Sequence, residues 1–186
     1  MYKLLIDDLI ELSLSMFRKN FFGIFHGSIS SKIGEDKFII NTKDAIFDEL
    51  KDEDFITLSF HEDYRYKSAS IDSLIHKNIY KNISDAKNIC YAMPHNITTY
   101  SLTHDNFKPK DYFGNLIYPS IKIYDPGDFK DWYKRAPNEI VDYFKEESDL
   151  MIIKGYGIYT YSRDLKQLVK KIAIIENSAK ILMNIK

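Results

Sequence analysis

Leu5, Leu9, Leu12 and Met16 recur at steps of four, three and four. That is the spacing of one face of an amphipathic helix, which should end before Phe21-Phe22-Gly23. Residues 37–41 and 55–60 alternate or cluster β-branched and aromatic side chains and predict strands, with an acidic turn between them. Ser70 is placed to cap a second helix, whose buried stripe would be Ile71, Ile75 and Ile79. Residues 88–92 read as a buried strand, 106–115 as a polar loop, and 116–124 as another strand. Asp125-Pro126-Gly127 then breaks the chain. A helical segment follows from Asp128, bent or restarted at Pro137. Residues 150–153 and 157–161 predict strands joined by a tight turn at Gly155-Tyr156-Gly157. The last element has the clearest signal. Asp164 and Gln167 resemble a capping box, and Leu165, Leu168, Ile172, Ile175, Ala179 and Leu182 follow at alternating steps of three and four. That stripe fits packing on a sheet, with a coiled-coil seam as the alternative.

Helices alternating with groups of strands predict an α/β fold, and no repeat, linker or low-complexity segment divides residues 1–186 into more than one domain. With 14 tyrosines and 12 phenylalanines, much of the core must be aromatic. The formal net charge of −1 supplies no basic field for nucleic acid or anionic lipid. Acidic residues at 7 and 8 interrupt the apolar start a signal peptide needs, and no apolar run is long enough to span a bilayer. These features predict a cytoplasmic protein with neither nucleic-acid nor membrane partners.

Candidate chemistry is sparse. None of the five histidines forms a His-x-His or a one-turn helical pair. Asp72 and His76 share a helix face, where they could hold part of a zinc shell or simply hydrogen-bond. Cys90 is the only cysteine and lies in an apolar run, which favours a buried thiol. The stretch His26-Gly27-Ser28-Ile29-Ser30 reads as a turn between helix and strand that could cradle a phosphate. Basic and aromatic residues mix at 107–112, but the near-neutral charge favours an exposed loop over a nucleic-acid surface.

The order of landmarks resembles the class II aldolase/adducin family over residues 5–183. Gly27-Ser28-Ile29-Ser30 stands where that family has Gly-Asn-x-Ser. Ile40-Asn41-Thr42-Lys43-Asp44 stands where it has Ile-Thr-Pro-Ser-Gly. Ala69-Ser70-Ile71-Asp72 matches Pro-Ser-Ser-Glu, with His76 and Tyr80 at the family's histidine and tyrosine offsets. The strand 88–93 matches one ending in His-x-His, and 152–157 matches Leu-Leu-x-x-His-Gly.

The resemblance implies an α/β/α sandwich with a central, mostly antiparallel sheet and helices on both faces. It also implies a C–C bond-cleaving site in which three histidines hold a divalent metal and a glutamate acts as acid/base. Here Tyr91, Met93 and Tyr156 stand at the histidine positions and Asp72 at the glutamate. Phenols and a thioether are poor zinc ligands. The expectation is therefore no metal cofactor, with a divalent metal such as zinc on relocated ligands as the alternative.

Asp72, Tyr91, Tyr156 and His95 become the candidate catalytic residues of a degenerate site. Ser28, Asn41, Lys43 and Ser70 become its candidate anion- or phosphate-binding groups. The leading expectation is a binding or assembly protein without aldolase activity, for which the adducin head is the family's precedent. The alternative is a sugar or sugar-phosphate lyase or epimerase. The resemblance also implies a homo-oligomer, commonly a tetramer in the family, and a sugar-like small-molecule ligand. An Asp72 hydrogen bond to Tyr91 or Tyr156 is expected to replace the metal's bridging role.

Overall fold

The computed structural model describes residues 2–185. Helix α1 spans Lys3–Arg18. Strands β1 (Ser28–Lys32), β2 (Lys37–Asn41) and β3 (Phe55–Ser59) follow, then α2 (Ser73–Asn82), β4 (Asn88–Ala92) and α3 (His95–Ser101). The second half contains β5 (Asn106–Phe107), α4 (Tyr112–Ile117), β6 (Ile121–Tyr124), α5 (Trp132–Glu146), β7 (Leu150–Ile153), β8 (Gly157–Ser162) and α6 (Leu165–Asn184). The strands form one sheet in the order β3-β2-β1-β4-β8-β7-β6-β5. Every pair is antiparallel except β6 with β7.

Successive strand residues point to opposite faces, and the core divides accordingly. On one face Phe38, Ile40, Leu58, Ile89 and Met151 pack under α2 and α5. On the other, Ile29, Ile39, Cys90 and Ala92 pack under α1 and α6, while α3 and α6 cover β6 to β8 through Ile97, Ile175 and Ile152. The result is the three-layer α/β/α sandwich with a mostly antiparallel sheet. No described helix is long and apolar enough to cross a membrane.

The structure departs from the sequence pattern at several elements. Residues 28–32 form a strand rather than a turn. Ser28 and Ser30 occupy its inward positions and are fully buried, so polar side chains stand where an alternating pattern would show apolar ones. The predicted strand at 116–124 is only β6. The short α4 precedes it, started by Asp111, whose carboxylate accepts the Gly114 N–H at 2.9 Å. Six residues are too few to reveal a helical period.

Ser70 does not cap α2. Asp72 holds that position, Ser70 Oγ instead accepts the Asp72 N–H at 3.3 Å, and Ile71 is 66% exposed. Helix α5 runs through Pro137 without restarting. Along α6, Leu168, Ile172, Ile175 and Ala179 are consumed by the protein's own core, which leaves no coiled-coil seam.

Candidate functional site

Sheet register builds the floor of a cleft. Ser28 on β1 lies opposite Tyr91 on β4, and Tyr91 lies opposite Tyr159 on β8. One row across three strands therefore carries a hydroxyl and two phenols on the same face. Asp72 enters above this row from the start of α2 and is 2% exposed. Its carboxylate accepts Ser28 Oγ–H at 2.7 Å and Tyr159 O–H at 2.8 Å. The expected bond from Tyr91 or Tyr156 is not made. Tyr91 donates instead to the Tyr156 carbonyl at 2.9 Å, and the Tyr156 hydroxyl pairs with that of Tyr133 at 2.8 Å. Tyr156 sits in the β7–β8 turn, beyond the strand ends, and its phenol hydroxyl meets Tyr133 of α5 rather than Asp72.

A second polar chain runs inward from Ser28. Its Oγ lies 3.0 Å from His76 Nε2, Ser30 Oγ lies 2.7 Å from His76 Nδ1, and Tyr80 OH lies 2.7 Å from Ser30 Oγ. Ser28 has one hydrogen and gives it to Asp72, so toward His76 it can only accept. That places the imidazole hydrogen on Nε2, leaves Nδ1 to accept from Ser30, and lets Tyr80 donate to Ser30. Burial pulls the fully enclosed His76 down to about 3, which keeps it neutral. Burial raises Asp72, while the Ser28 and Tyr159 hydroxyls oppose that shift. Burial, and then the neighbouring Asp72 charge, raise the phenols of Tyr91, Tyr156 and Tyr159, so all three are neutral.

The cleft above this floor has a volume of about 170 Å³. Asn41, Lys43, Ser70, Asp72, Tyr91 and Tyr156 line it together, although they are scattered along the sequence. Ser28 lies beneath, bonded to Asp72. Chain ties hold the loops in place: Ser70 N–H donates to Asn41 O at 2.9 Å, and Lys43 N–H to Ser68 O at 3.1 Å. The Asn41 side chain is already committed, its carbonyl to Ile29 N–H at 2.9 Å and one amide hydrogen to Thr42 O at 3.1 Å. The donors left free at this end of the cleft include the Ser70 hydroxyl, the exposed Lys43 and the second Asn41 amide hydrogen.

His95 stands apart. It opens α3 and, with Met93, borders a neighbouring cleft beside Phe17 and Phe22. His26, Phe25 and Tyr133 complete the wall of the cleft above Asp72. Sequence reasoning did not single out Phe25 or Tyr133, nor Tyr159 as a partner of Asp72, and the side-chain hydrogen bond it allowed between Asp72 and His76 is not made, because Ser28 stands between them. For Tyr159 a signal existed. It lies two residues from Gly157 on a strand whose period places it on the Asp72 face.

The profile of the Class II Aldolase and Adducin N-terminal domain matches residues 7–183. The chain belongs to that family. Solved structures that share its fold include the following three. An L-fuculose-1-phosphate aldolase from Thermus thermophilus superposes with a TM-score of 0.84 at 17% identity, over 93% of this chain and 89% of that one. YgbL from Escherichia coli gives 0.83 at 13% identity, over 96% and 88%. A sugar-phosphate aldolase from Thermotoga maritima gives 0.75 at 15% identity, over 96% and 93%. At these identities the likeness establishes fold alone. No curated protein matches the chain significantly in sequence.

The family resemblance implies a divalent metal, and the donor set here does not fit one. Of the three positions matching its histidines, Tyr91 and Tyr156 carry neutral phenols engaged elsewhere, and Met93 faces the neighbouring cleft. Asp72 is the one carboxylate lining the cleft. Among the described residues no three His, Cys, Asp or Glu side chains gather in a metal-holding cluster.

Proposed function

We propose that this chain is a ligand-binding member of the class II aldolase family that has lost metal-dependent aldol chemistry, a pseudoenzyme whose cleft takes a small, sugar-like anion. One observation carries the reading: the phenols of Tyr91 and Tyr156 stand at histidine positions and are hydrogen-bonded within the protein, so they offer a ligand walls rather than a Lewis acid. Ser70, Lys43 and the remaining Asn41 amide hydrogen suit an anionic group at the cleft mouth. The volume lies below the ~300 Å³ at which drug-sized pockets begin, which favours a metabolite-sized ligand.

Exposed apolar residues of α4, Tyr112, Phe113 and Leu116, support self-association, with a tetramer as the form the family resemblance implies. The absence of a membrane-spanning helix among the described residues is in keeping with the cytoplasmic reading.

A thermal-shift screen of sugar phosphates in EDTA tests this function. The expected result is stabilisation by at least one compound, unchanged by added zinc. Cleavage of a sugar phosphate that rises in proportion to bound zinc would overturn it.

A second reading is metal-free acid/base catalysis on a sugar-like substrate. It is favoured by a single observation, the buried Asp72 with its raised proton affinity among neutral hydroxyls. In that reading Asp72 moves the proton and Tyr91 and Tyr156 shape the site, without His95.

A further inference from the structure

Asp72 is a buried carboxylate without a counter-charge. Its two hydrogen-bond donors, Ser28 and Tyr159, are both neutral. The groups acting on its proton are burial and those two hydroxyls, with no lysine, arginine or histidine among them. The nearest imidazole, His76, reaches it only through Ser28 and is itself neutral. Lys43 and His26 line the cleft but are exposed, and neither is paired with Asp72. Buried carboxylates are ordinarily paired with a cation or become neutral.

The surroundings of this charge are aromatic. Tyr91, Tyr133, Tyr156 and Phe25 line the same cleft. The Tyr133 and Tyr156 rings meet at 70° with centroids 6.5 Å apart, and Tyr91 lies against Tyr156 at 4.9 Å. These rings pack directly on one another into one aromatic wall lining the cleft with the carboxyl group, and ring faces attract an organic ammonium whose charge would in turn hold Asp72 ionised.

We propose that the ligand of this cleft carries a protonated amine as well as an anionic group. The ammonium lies toward Asp72, beside the aromatic wall of Tyr91, Tyr133 and Tyr156. The anion lies toward Ser70 and Lys43. This rests on the ligand-binding reading above and adds the chemical class: an amino-bearing phosphate or carboxylate rather than a neutral sugar phosphate. The ligand itself then brings the positive charge that this donor set does not fit as a metal ion.

Matched pairs test it. Isothermal titration in EDTA at neutral pH would compare phosphoethanolamine with 2-hydroxyethyl phosphate, and D-glucosamine 6-phosphate with D-glucose 6-phosphate. In at least one pair the amine should bind at least about tenfold more tightly, the step equivalent to ~1.4 kcal/mol. Asp72→Asn, its fold checked by circular dichroism, should bring the two members of the pair to equal affinity. Tyr133→Ala should narrow the preference for the amine by about two- to fivefold. Equal affinity within both pairs overturns this inference and leaves the anion-binding reading intact. An amine preference that survives Asp72→Asn also overturns it. No binding of any of the four overturns both.

Discussion

Tyr159 donates its hydroxyl to Asp72 at 2.8 Å across 87 positions of sequence, and both residues are buried. The bond ties the start of α2 to the middle of β8 and sets the orientation of the cleft floor. Tyr159→Phe removes a donor to a buried carboxyl group and should cost about 1.5–3 kcal/mol if that group is ionised. Tyr156→Phe removes only a hydroxyl that pairs with the exposed Tyr133, and should cost less than about 1 kcal/mol. Urea unfolding of the two variants checks the order. A larger loss for Tyr156→Phe would mean the hydrogen bonds are assigned to the wrong tyrosine.

His76 makes stability depend on pH with a definite sign. Its folded imidazole titrates near 3, whereas the unfolded chain takes up the proton near the ordinary value of 6.5. Between these limits the unfolded state binds more protons. The stability is present above about pH 6.5 and falls as the pH drops, by about 2 kcal/mol between pH 7 and 5. Asp72 acts in the opposite sense, because burial raises its folded value. Its contribution is present below the unfolded pKa and is lost as the pH rises through the folded one. Urea titrations from pH 5 to 7 should show that His76→Gln removes about 2 kcal/mol of the acid-side loss. An identical pH dependence in wild type and variant would place the imidazole outside the buried chain.

Gly157 is a backbone position on which the cleft floor depends. Its φ is +139°, and an added Cβ would stand 2.4 Å from the Ala92 carbonyl and 3.1 Å from the Tyr91 ring. Gly157→Ala should therefore cost about 2–3 kcal/mol. It should also displace the Tyr91 ring, visible as a change in near-ultraviolet circular dichroism. An alanine variant with wild-type stability and spectrum would show that the β7–β8 turn is not constrained as described.

The sequence made most elements legible where period and capping agreed. The apolar cluster at 37–41, the apolar run at 88–92 and the stripe of α6 all correspond to observed elements. It failed at β1, because Ser28 and Ser30 fill buried strand positions with hydroxyls that serve Asp72, His76 and Tyr80. It failed at α4, which is too short to show a period. For the site, the family resemblance drew Asn41, Lys43, Ser70, Asp72, Tyr91 and Tyr156 to attention, and these line one cleft. His95 and Met93 do not share it, because the chain turns into α3 directly after β4. The identity of the Asp72 partner was not legible. Tyr91, Tyr156 and Tyr159 are chemically alike, and only the register of β4 against β8 with the shape of the Gly155–Gly157 turn decides which phenol faces the carboxylate.

On the proposed reading, in which the tyrosine-walled cleft does not bind a metal, the protein should not retain zinc. Elemental analysis after dialysis against zinc, followed by buffer exchange, reads this without reference to any ligand. The expected result is far less than one zinc per chain, with no difference between wild type and Asp72→Asn. One tightly held zinc per chain, lost in Asp72→Asn, would contradict it.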